Sequence, residues 1–124
     1  MTPEKYVLVI EDNALVRDAV TQLLRSKGYQ VVAAANGREA LDRLRSAGPP
    51  SVILLDLSMP VMGGRQFLQE QRREPAWASV PVVVLAGAAE PVPSGIAEYL
   101  VKPVGPQEVL EAIRRTIERG PRPV

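Results

Sequence analysis

The sequence predicts an α/β fold in which a parallel β-sheet is covered by helices. Two observations support this prediction. Five short apolar runs recur along the 124 residues without polar alternation, which is typical of strands buried on both faces. Most segments between the runs carry apolar residues at helical spacing, so strands and helices alternate along the chain. The runs cover Tyr6–Ile10, Val31–Ala34, Val52–Leu55, Val82–Leu85 and Tyr99–Val101.

Three of the intervening segments predict helices clearly. The apolar positions of Val16–Leu24 share one helical face, and Gly28 follows as a stop signal. A similar face lies within Ala40–Ala47, after the second run. Beyond the fifth run, Val109–Ile117 repeats the pattern, and Gly120 ends it.

The remaining two segments predict weaker helices. The segment around Arg65–Arg73 has only Phe67 and Leu68 as strongly apolar residues. The segment after the fourth run, AGAAEPVPSGIAE, contains two prolines and two glycines, which leave little room for a helix. The sequence therefore predicts a doubly wound (βα)₅ sheet whose fourth helix is short or absent, with right-handed crossovers.

Composition narrows the possible functions. The chain has no cysteine and no histidine, which excludes thiolate metal sites, histidine triads and phosphohistidine carriers. Fifteen basic and fourteen acidic residues give a net charge of +1, so we expect no nucleic-acid partner. No apolar stretch is long enough for a signal peptide or a membrane span, so we expect no membrane partner and a cytoplasmic location. The length predicts one domain over residues 1–124, with a core from about 6 to 118.

Charged residues follow three of the apolar runs. Glu11 and Asp12 follow the first run, Asp56 follows the third, and Lys102 follows the fifth. Ligands of open α/β sheets bind at the carboxyl ends of the strands, where the strand order reverses. In the flavodoxin-like order 2-1-3-4-5, the first and third strands are neighbours at that point. The three carboxylates are therefore expected in one crevice, with the ammonium group nearby.

Three neighbouring carboxylates repel one another unless a pKa rises or a cation binds. An all-oxygen ligand set favours a hard cation such as Mg²⁺, which commonly handles phosphate. A carboxylate can also act as a nucleophile and form an aspartyl phosphate. In that case Mg²⁺ and Lys102 would neutralise the charge of the transferred phosphoryl group.

Three motifs now identify a resemblance. The acidic pair in VLVIEDNALVRD, the segment LLDLSMPVMGG and the segment YLVKP occur in this order after the first, third and fifth strands. Together they resemble the receiver domain of bacterial two-component response regulators, of the stand-alone chemotaxis type. The resemblance extends from about Tyr6 to Ile117, which is nearly the whole chain.

The resemblance implies a role for each charged residue. Asp56 is expected to accept a phosphoryl group from a phosphohistidine on a histidine kinase or a histidine phosphotransfer protein. Mg²⁺ is expected to bind Asp12 and Asp56, the backbone carbonyl of Ser58 and, largely through water, Glu11. Lys102 is expected to pair with Asp56 or with its phosphate.

The resemblance also implies that certain residues shape the site. Pro103 is expected to follow a cis peptide bond that aims Lys102. Met59–Pro60 and Gly63–Gly64 are expected to shape the loop after Asp56.

Three departures from the family pattern affect the expected conformational switch. Ala86 stands where a Thr or Ser hydroxyl usually binds the phosphate, although the aromatic partner of that switch is present as Tyr99. The backbone N–H of Gly87 could still contact the phosphate. The chain from Ala86 to Lys102 is about six residues shorter than usual, or one and a half helical turns. Gly63 replaces a common acidic or amide residue.

Two functions from different classes follow from these residues. The first is a phosphoryl-accepting signalling domain, which catalyses only its own phosphorylation and dephosphorylation and is otherwise not an enzyme. The alternative is a degenerate receiver that binds a partner without phosphorylation, as the loss of the hydroxyl at Ala86 suggests. A phosphatase of the haloacid dehalogenase type is disfavoured, because Leu57 and Ser58 follow Asp56 in place of its Asp-x-Asp motif.

Overall fold

The computed structural model describes residues 5–59 and 62–121, so Pro60 of the predicted loop lies outside the described residues. Strands and helices alternate along these residues until the fourth strand, which leads directly to the fifth. The elements are β1 (Tyr6–Ile10), α1 (Ala14–Ser26), β2 (Gln30–Ala34), α2 (Gly37–Ala47), β3 (Val52–Asp56), α3 (Gly64–Arg73), β4 (Val82–Ala86), β5 (Glu98–Val101) and α4 (Pro106–Arg119).

The five strands form one parallel sheet in the order β2-β1-β3-β4-β5. This order confirms the predicted flavodoxin-like arrangement, in which β1 and β3 are neighbours and the connections leave the sheet on opposite sides. The register pairs Ile10 with Leu55 and Asp56 with Leu85. The residues that follow β1, β3 and β4 therefore meet at one edge of the sheet.

The alternating side chains of the strands divide the core into two clusters. Leu8 and Ile10 of β1 face the same side as Phe67 of α3, together with residues of α2. Val7 and Val9 face the other side, with residues of α1 and α4. Both faces of β1, β3 and β4 are thus covered, which explains why these strands lack polar alternation. The run at Tyr99–Val101 was also predicted to be buried on both faces, but Tyr99 and Val101 of the edge strand β5 are exposed, because no helix follows β4.

The third helix forms despite its weak apolar pattern. Phe67 and Leu68 are buried, and a third position of the same face is the polar residue Gln71. Its side-chain amide donates a hydrogen bond of 2.7 Å to the carbonyl of Trp77, so its burial leaves this donor satisfied. At the start of the helix, a Cβ atom on Gly64 would lie 2.7 Å from the Cα of Leu57, so this close approach requires glycine.

The connection between β4 and β5 covers residues 87–97, all of which are described, and none of them is helical. This confirms the prediction that the fourth helix of the pattern is absent. The guanidinium groups of Arg65 and Arg72 in α3 donate hydrogen bonds to the carbonyls of Pro91 and Ser94 in the connection. Side chains of α3 therefore hold this segment at two points.

Helices α1 and α4 end before Gly28 and Gly120, as predicted. The buried face of α1 begins later than its apolar pattern suggests. Val16 is 42 % exposed, whereas Val20 and Leu24 are buried. In the part of the chain that is described, no helix is both long and apolar enough to span a membrane.

Candidate functional site

The three acidic residues predicted from the strand ends lie together. Glu11 follows β1 directly, Asp12 is the next residue, and Asp56 ends β3. One carboxylate oxygen from each residue lies within 4.8 Å of the others. Asp56 is 1 % exposed and Glu11 is 6 % exposed, whereas Asp12 is open to solvent. The cluster therefore combines two buried carboxyl groups with one accessible carboxylate.

The neighbouring residue Asn13, and not Asp12, caps helix α1. The Asn13 side-chain oxygen accepts hydrogen bonds from the backbone amides of Leu15 and Val16, at 3.0 and 3.1 Å. An N-terminal cap needs one such side chain. The Asp12 carboxylate is therefore left to the acidic cluster, which removes the ordinary structural explanation for an acid at this position.

Lys102 lies against Asp56. Its ammonium nitrogen donates a hydrogen bond of 2.7 Å to Asp56 Oδ1, and the backbone amide of Ser58 donates to the same oxygen at 3.2 Å. The backbone of Lys102 is held by β4, since its amide donates to the carbonyl of Ala86 at 2.8 Å. The peptide bond between Lys102 and Pro103 is cis. Partial burial lowers the pKa of Lys102, but the hydrogen bond and charge of Asp56 outweigh it, and the net shift is upward.

Glu11 has the most perturbed environment of the cluster. Burial raises the pKa of its carboxyl group, and a hydrogen bond of 3.1 Å from the Asn13 amide opposes this rise. The nearby charge of Asp56 raises it further, so that the pKa of Glu11 reaches about 7. Without a cation, the site therefore relieves its charge repulsion partly through Lys102 and, below a pH of about 7, partly by keeping a proton on Glu11.

The cluster opens into a crevice of about 620 Å³. The crevice does not reach Ala86 or Gly87. A separate cavity of about 270 Å³ lies at the amino-terminal edge of the sheet and is lined by no carboxylate. Of these two cavities, only the crevice is lined by the acidic cluster. It is lined by Glu11, Asp12, Asn13, Val16, Asp56, Ser58, Leu85, Lys102, Pro103 and Val104.

The two expected switch positions differ in burial. Ala86 ends β4 and is 1 % exposed, packed in the core with no hydroxyl group to offer. Tyr99 lies on β5, and its side chain is 52 % exposed. The structure therefore has an aromatic side chain open to solvent at this edge strand and an apolar residue at the carboxyl end of β4.

One residue near the site was missed by the sequence analysis. The Glu90 carboxylate accepts a hydrogen bond of 2.7 Å from the backbone amide of Gly87. This bond above all lowers the pKa of Glu90, with help from the Ser58 side chain and the charges of Lys102 and Arg65. An acidic residue in a polar turn carries no sequence signal for this contact, because only the fold of the connection directs the side chain toward β4.

Comparison with known proteins supports the family resemblance. Residues 7–114 match the family model described as "Response regulator receiver domain". The chain is 32% identical to the alkaline phosphatase synthesis transcriptional regulatory protein SphR of Synechococcus elongatus, over 96% of this chain and 51% of that protein. It is 34% identical to the transcriptional regulatory protein KdpE of Mycobacterium tuberculosis, over 92% of this chain and 51% of that protein.

A solved structure gives the same result. The chemotaxis response regulator CheY4 of Vibrio cholerae matches with a TM-score of 0.82 and 32% identity, over 92% of this chain and 99% of that one. The chain spans about half the length of the curated relatives it matches. Because those relatives are named as transcriptional regulators, the expectation of no nucleic-acid partner is not supported.

Proposed function

Because the chain belongs to the response regulator receiver domain family, we propose that residues 1–124 form a single receiver domain in which Asp56 accepts a phosphoryl group. One observation carries this proposal. The carboxylates of Glu11, Asp12 and Asp56 converge within 4.8 Å, and the Lys102 ammonium group lies 2.7 Å from the Asp56 carboxylate. Phosphoryl transfer to a carboxylate requires a nucleophilic carboxylate, here Asp56, and positive charge beside it. Lys102 supplies one positive charge, and the carboxylates of Glu11 and Asp12 can hold a cation that supplies more.

The ligand atoms in the cluster fit Mg²⁺. All are carboxylate oxygens, which this cation prefers, and the accessible carboxylate of Asp12 leaves one side open for water. We assign Asp12 and Asp56 as direct ligands, with the backbone carbonyl of Ser58 and, largely through water, Glu11. When bound, Mg²⁺ would neutralise the charge on the oxygens of a phosphoryl group.

The residues of the chain then have separate tasks in the transfer. An Asp56 carboxylate oxygen attacks the phosphorus atom of a phosphohistidine, the P–N bond breaks, and the imidazole leaves with the bonding electron pair. Lys102 bonds Asp56 before transfer and is placed to hold a phosphoryl oxygen after it. The hydrogen bond from the Lys102 backbone amide to the Ala86 carbonyl fixes the start of the Lys102 side chain.

The phosphoryl donor in this proposal is a histidine kinase or a histidine phosphotransfer protein. Its phosphohistidine reaches Asp56 through the crevice, whose floor includes the acidic cluster. The chain itself has no histidine to carry the group. Phosphorylation then changes the affinity of the domain for a downstream partner. No other reaction is assigned to the chain beyond gain and loss of its own phosphoryl group.

A degenerate receiver is the second candidate, and one observation favours it. Ala86 cannot donate the hydrogen bond that a Thr or Ser hydroxyl would give to a phosphoryl group. Against this candidate, a domain that bound its partner without phosphorylation would have no need for three converging carboxylates, since their mutual repulsion destabilises the fold.

Incubation with Mg²⁺ and acetyl phosphate distinguishes the two candidates. We expect the intact mass of the protein to increase by one phosphoryl group, and we expect no such increase for Asp56→Asn. The exposed residue Asp18 on α1 provides the matched control, because Asp18→Asn removes the same charge and should leave labelling unchanged. A wild-type protein that stays unlabelled would support the degenerate receiver.

The conformational response to phosphorylation should be weak in the wild type and stronger in Ala86→Thr. A hydrogen bond from a hydroxyl to a charged acceptor contributes about 1.5–3 kcal/mol, which shifts a two-state equilibrium by roughly tenfold or more. The measurement is the change in amide NMR shifts at Tyr99 on adding beryllofluoride and Mg²⁺. A full two-state change in the wild type, with no gain in Ala86→Thr, would show that the switch does not depend on this hydroxyl.

A further inference from the structure

The backbone amide of Gly87 donates its hydrogen bond to a carboxylate of the same chain. It donates a hydrogen bond of 2.7 Å to Glu90 Oε1, and the Glu90 amide donates one of 3.0 Å to the Gly87 carbonyl. The two bonds close a tight turn that folds the carboxylate back onto the end of β4. Hydrogen bonds to an ionised acceptor are stronger than neutral ones. While this turn persists, the Gly87 N–H has no free capacity for another acceptor.

This turn lies at the same end of the sheet as Asp56, one strand away. Asp56 pairs with Leu85 across β3 and β4, so Ser58 and Gly87 each lie two residues beyond that pair at the same edge. The Ser58 side chain and the charge of Lys102 both act on the Glu90 carboxylate. Lys102 also bonds Asp56. Glu90 and the proposed phosphoryl acceptor therefore both feel the charge of Lys102, and Ser58 serves both carboxylates, Glu90 through its side chain and Asp56 through its backbone amide.

The connection that carries Glu90 is fixed to the rest of the fold. Arg65 of α3 donates a hydrogen bond to the carbonyl of Pro91, the residue directly after Glu90. Arg72, two helical turns later, donates to the carbonyl of Ser94. These two contacts hold the backbone on the α3 side while the Glu90 side chain turns toward β4. The contact between Glu90 and Gly87 therefore lies in a connection whose backbone is held in place by α3.

We propose that Glu90 is an internal competitor of the phosphoryl group, and that its carboxylate must leave the Gly87 amide when Asp56 is phosphorylated. This proposal rests on the proposed function of Asp56. A phosphoryl group brings about −1.5 to −2 charges, which the Glu90 carboxylate repels. With alanine at position 86, the Gly87 N–H is the donor left at the end of β4, and Glu90 occupies it.

Substitution of Glu90 should therefore increase phosphorylation. The initial rate of labelling by acetyl phosphate and Mg²⁺, measured by intact mass, is expected to rise about tenfold in Glu90→Ala, because a charged hydrogen bond and a like charge are both removed. Glu90→Gln keeps an acceptor for Gly87 without the charge, and a smaller increase is expected. Glu118 on α4 is exposed, so Glu118→Ala and Glu118→Gln serve as controls for net charge and should label at the wild-type rate.

A second measurement tests the contact without phosphorylation. In metal-free, unphosphorylated protein, the amide proton of Gly87 should shift upfield in Glu90→Ala, since it loses a charged acceptor. The same proton should keep its position in Glu118→Ala. A Gly87 amide that is unaffected by Glu90→Ala would overturn the proposal.

The labelling results separate the two proposals. Equal labelling rates for wild type, Glu90→Gln and Glu90→Ala would overturn the role of Glu90 and leave Asp56 as the acceptor. Failure of all these proteins to take up a phosphoryl group would overturn the proposed function, and the competitor role with it. Faster labelling confined to the Glu90 variants would support both.

Discussion

The free energy of unfolding of the metal-free protein is expected to fall by about 1–3 kcal/mol as the pH rises from about 4.5 to about 7. The cause is Glu11, whose carboxyl group has a pKa of about 7 in the folded chain and an ordinary value of 4.5. Between these values the folded state holds a proton that the unfolded state releases. Stability therefore decreases as the pH rises through this interval, and the full cost is present above it.

The composition of the chain leaves few other side chains that titrate in this pH interval. There is no histidine to titrate in the same interval, and the lowered pKa values of Glu90 and Glu98 affect stability at more acidic pH. The buried indole of Trp77, the single tryptophan, reports unfolding by fluorescence. The pH dependence should be lost in Glu11→Gln and kept in Glu118→Gln. A slope that survives in Glu11→Gln would contradict the environment assigned to Glu11.

Mg²⁺ binding should weaken by about a hundredfold or more in Asp12→Ala, because loss of a direct ligand costs at least as much as loss of a residue that supports one. Asp12 is the accessible carboxylate of the cluster, and Asn13 rather than Asp12 caps α1. The substitution should therefore remove a ligand without removing the helix cap. Isothermal titration calorimetry measures the affinity directly.

The matched control for this substitution is Asp18→Ala. Asp18 is exposed on α1, six residues after Asp12 in sequence, and it lies outside the acidic cluster. Its loss raises the net charge of the chain by the same amount as the loss of Asp12, so only long-range electrostatics should change. A similar affinity for wild type and Asp12→Ala, or an equal loss in both variants, would contradict a direct Mg²⁺ ligand at position 12.

The architecture was predictable because its main signals are local. Strand Val52–Asp56 is buried on both faces, and its residues Val52–Leu55 form an unbroken apolar run in the sequence. Helix α3 was harder to predict, since one of its buried positions is Gln71. The partner that makes this burial possible is the carbonyl of Trp77, and no local pattern reveals that hydrogen bond.

The acidic cluster was predictable for a topological reason. Residues that follow neighbouring parallel strands meet at one edge, so Glu11, Asp12 and Asp56 could be placed together from the strand order. Glu90 could not be placed in this way. Its contact depends on a connection without regular structure, held by an arginine of α3 that lies 26 residues from its partner in sequence. Such contacts are determined by tertiary packing and have no periodic signature.

The central claim is that Asp56 itself carries the phosphoryl group. Borohydride reduces an aspartyl phosphate to homoserine, so the modified residue can be identified by peptide mass mapping after incubation with acetyl phosphate and Mg²⁺. We predict homoserine at position 56 in the wild type, and none when Mg²⁺ is withheld. Homoserine at Asp12 or at another aspartate, with Asp56 unmodified, would contradict the account.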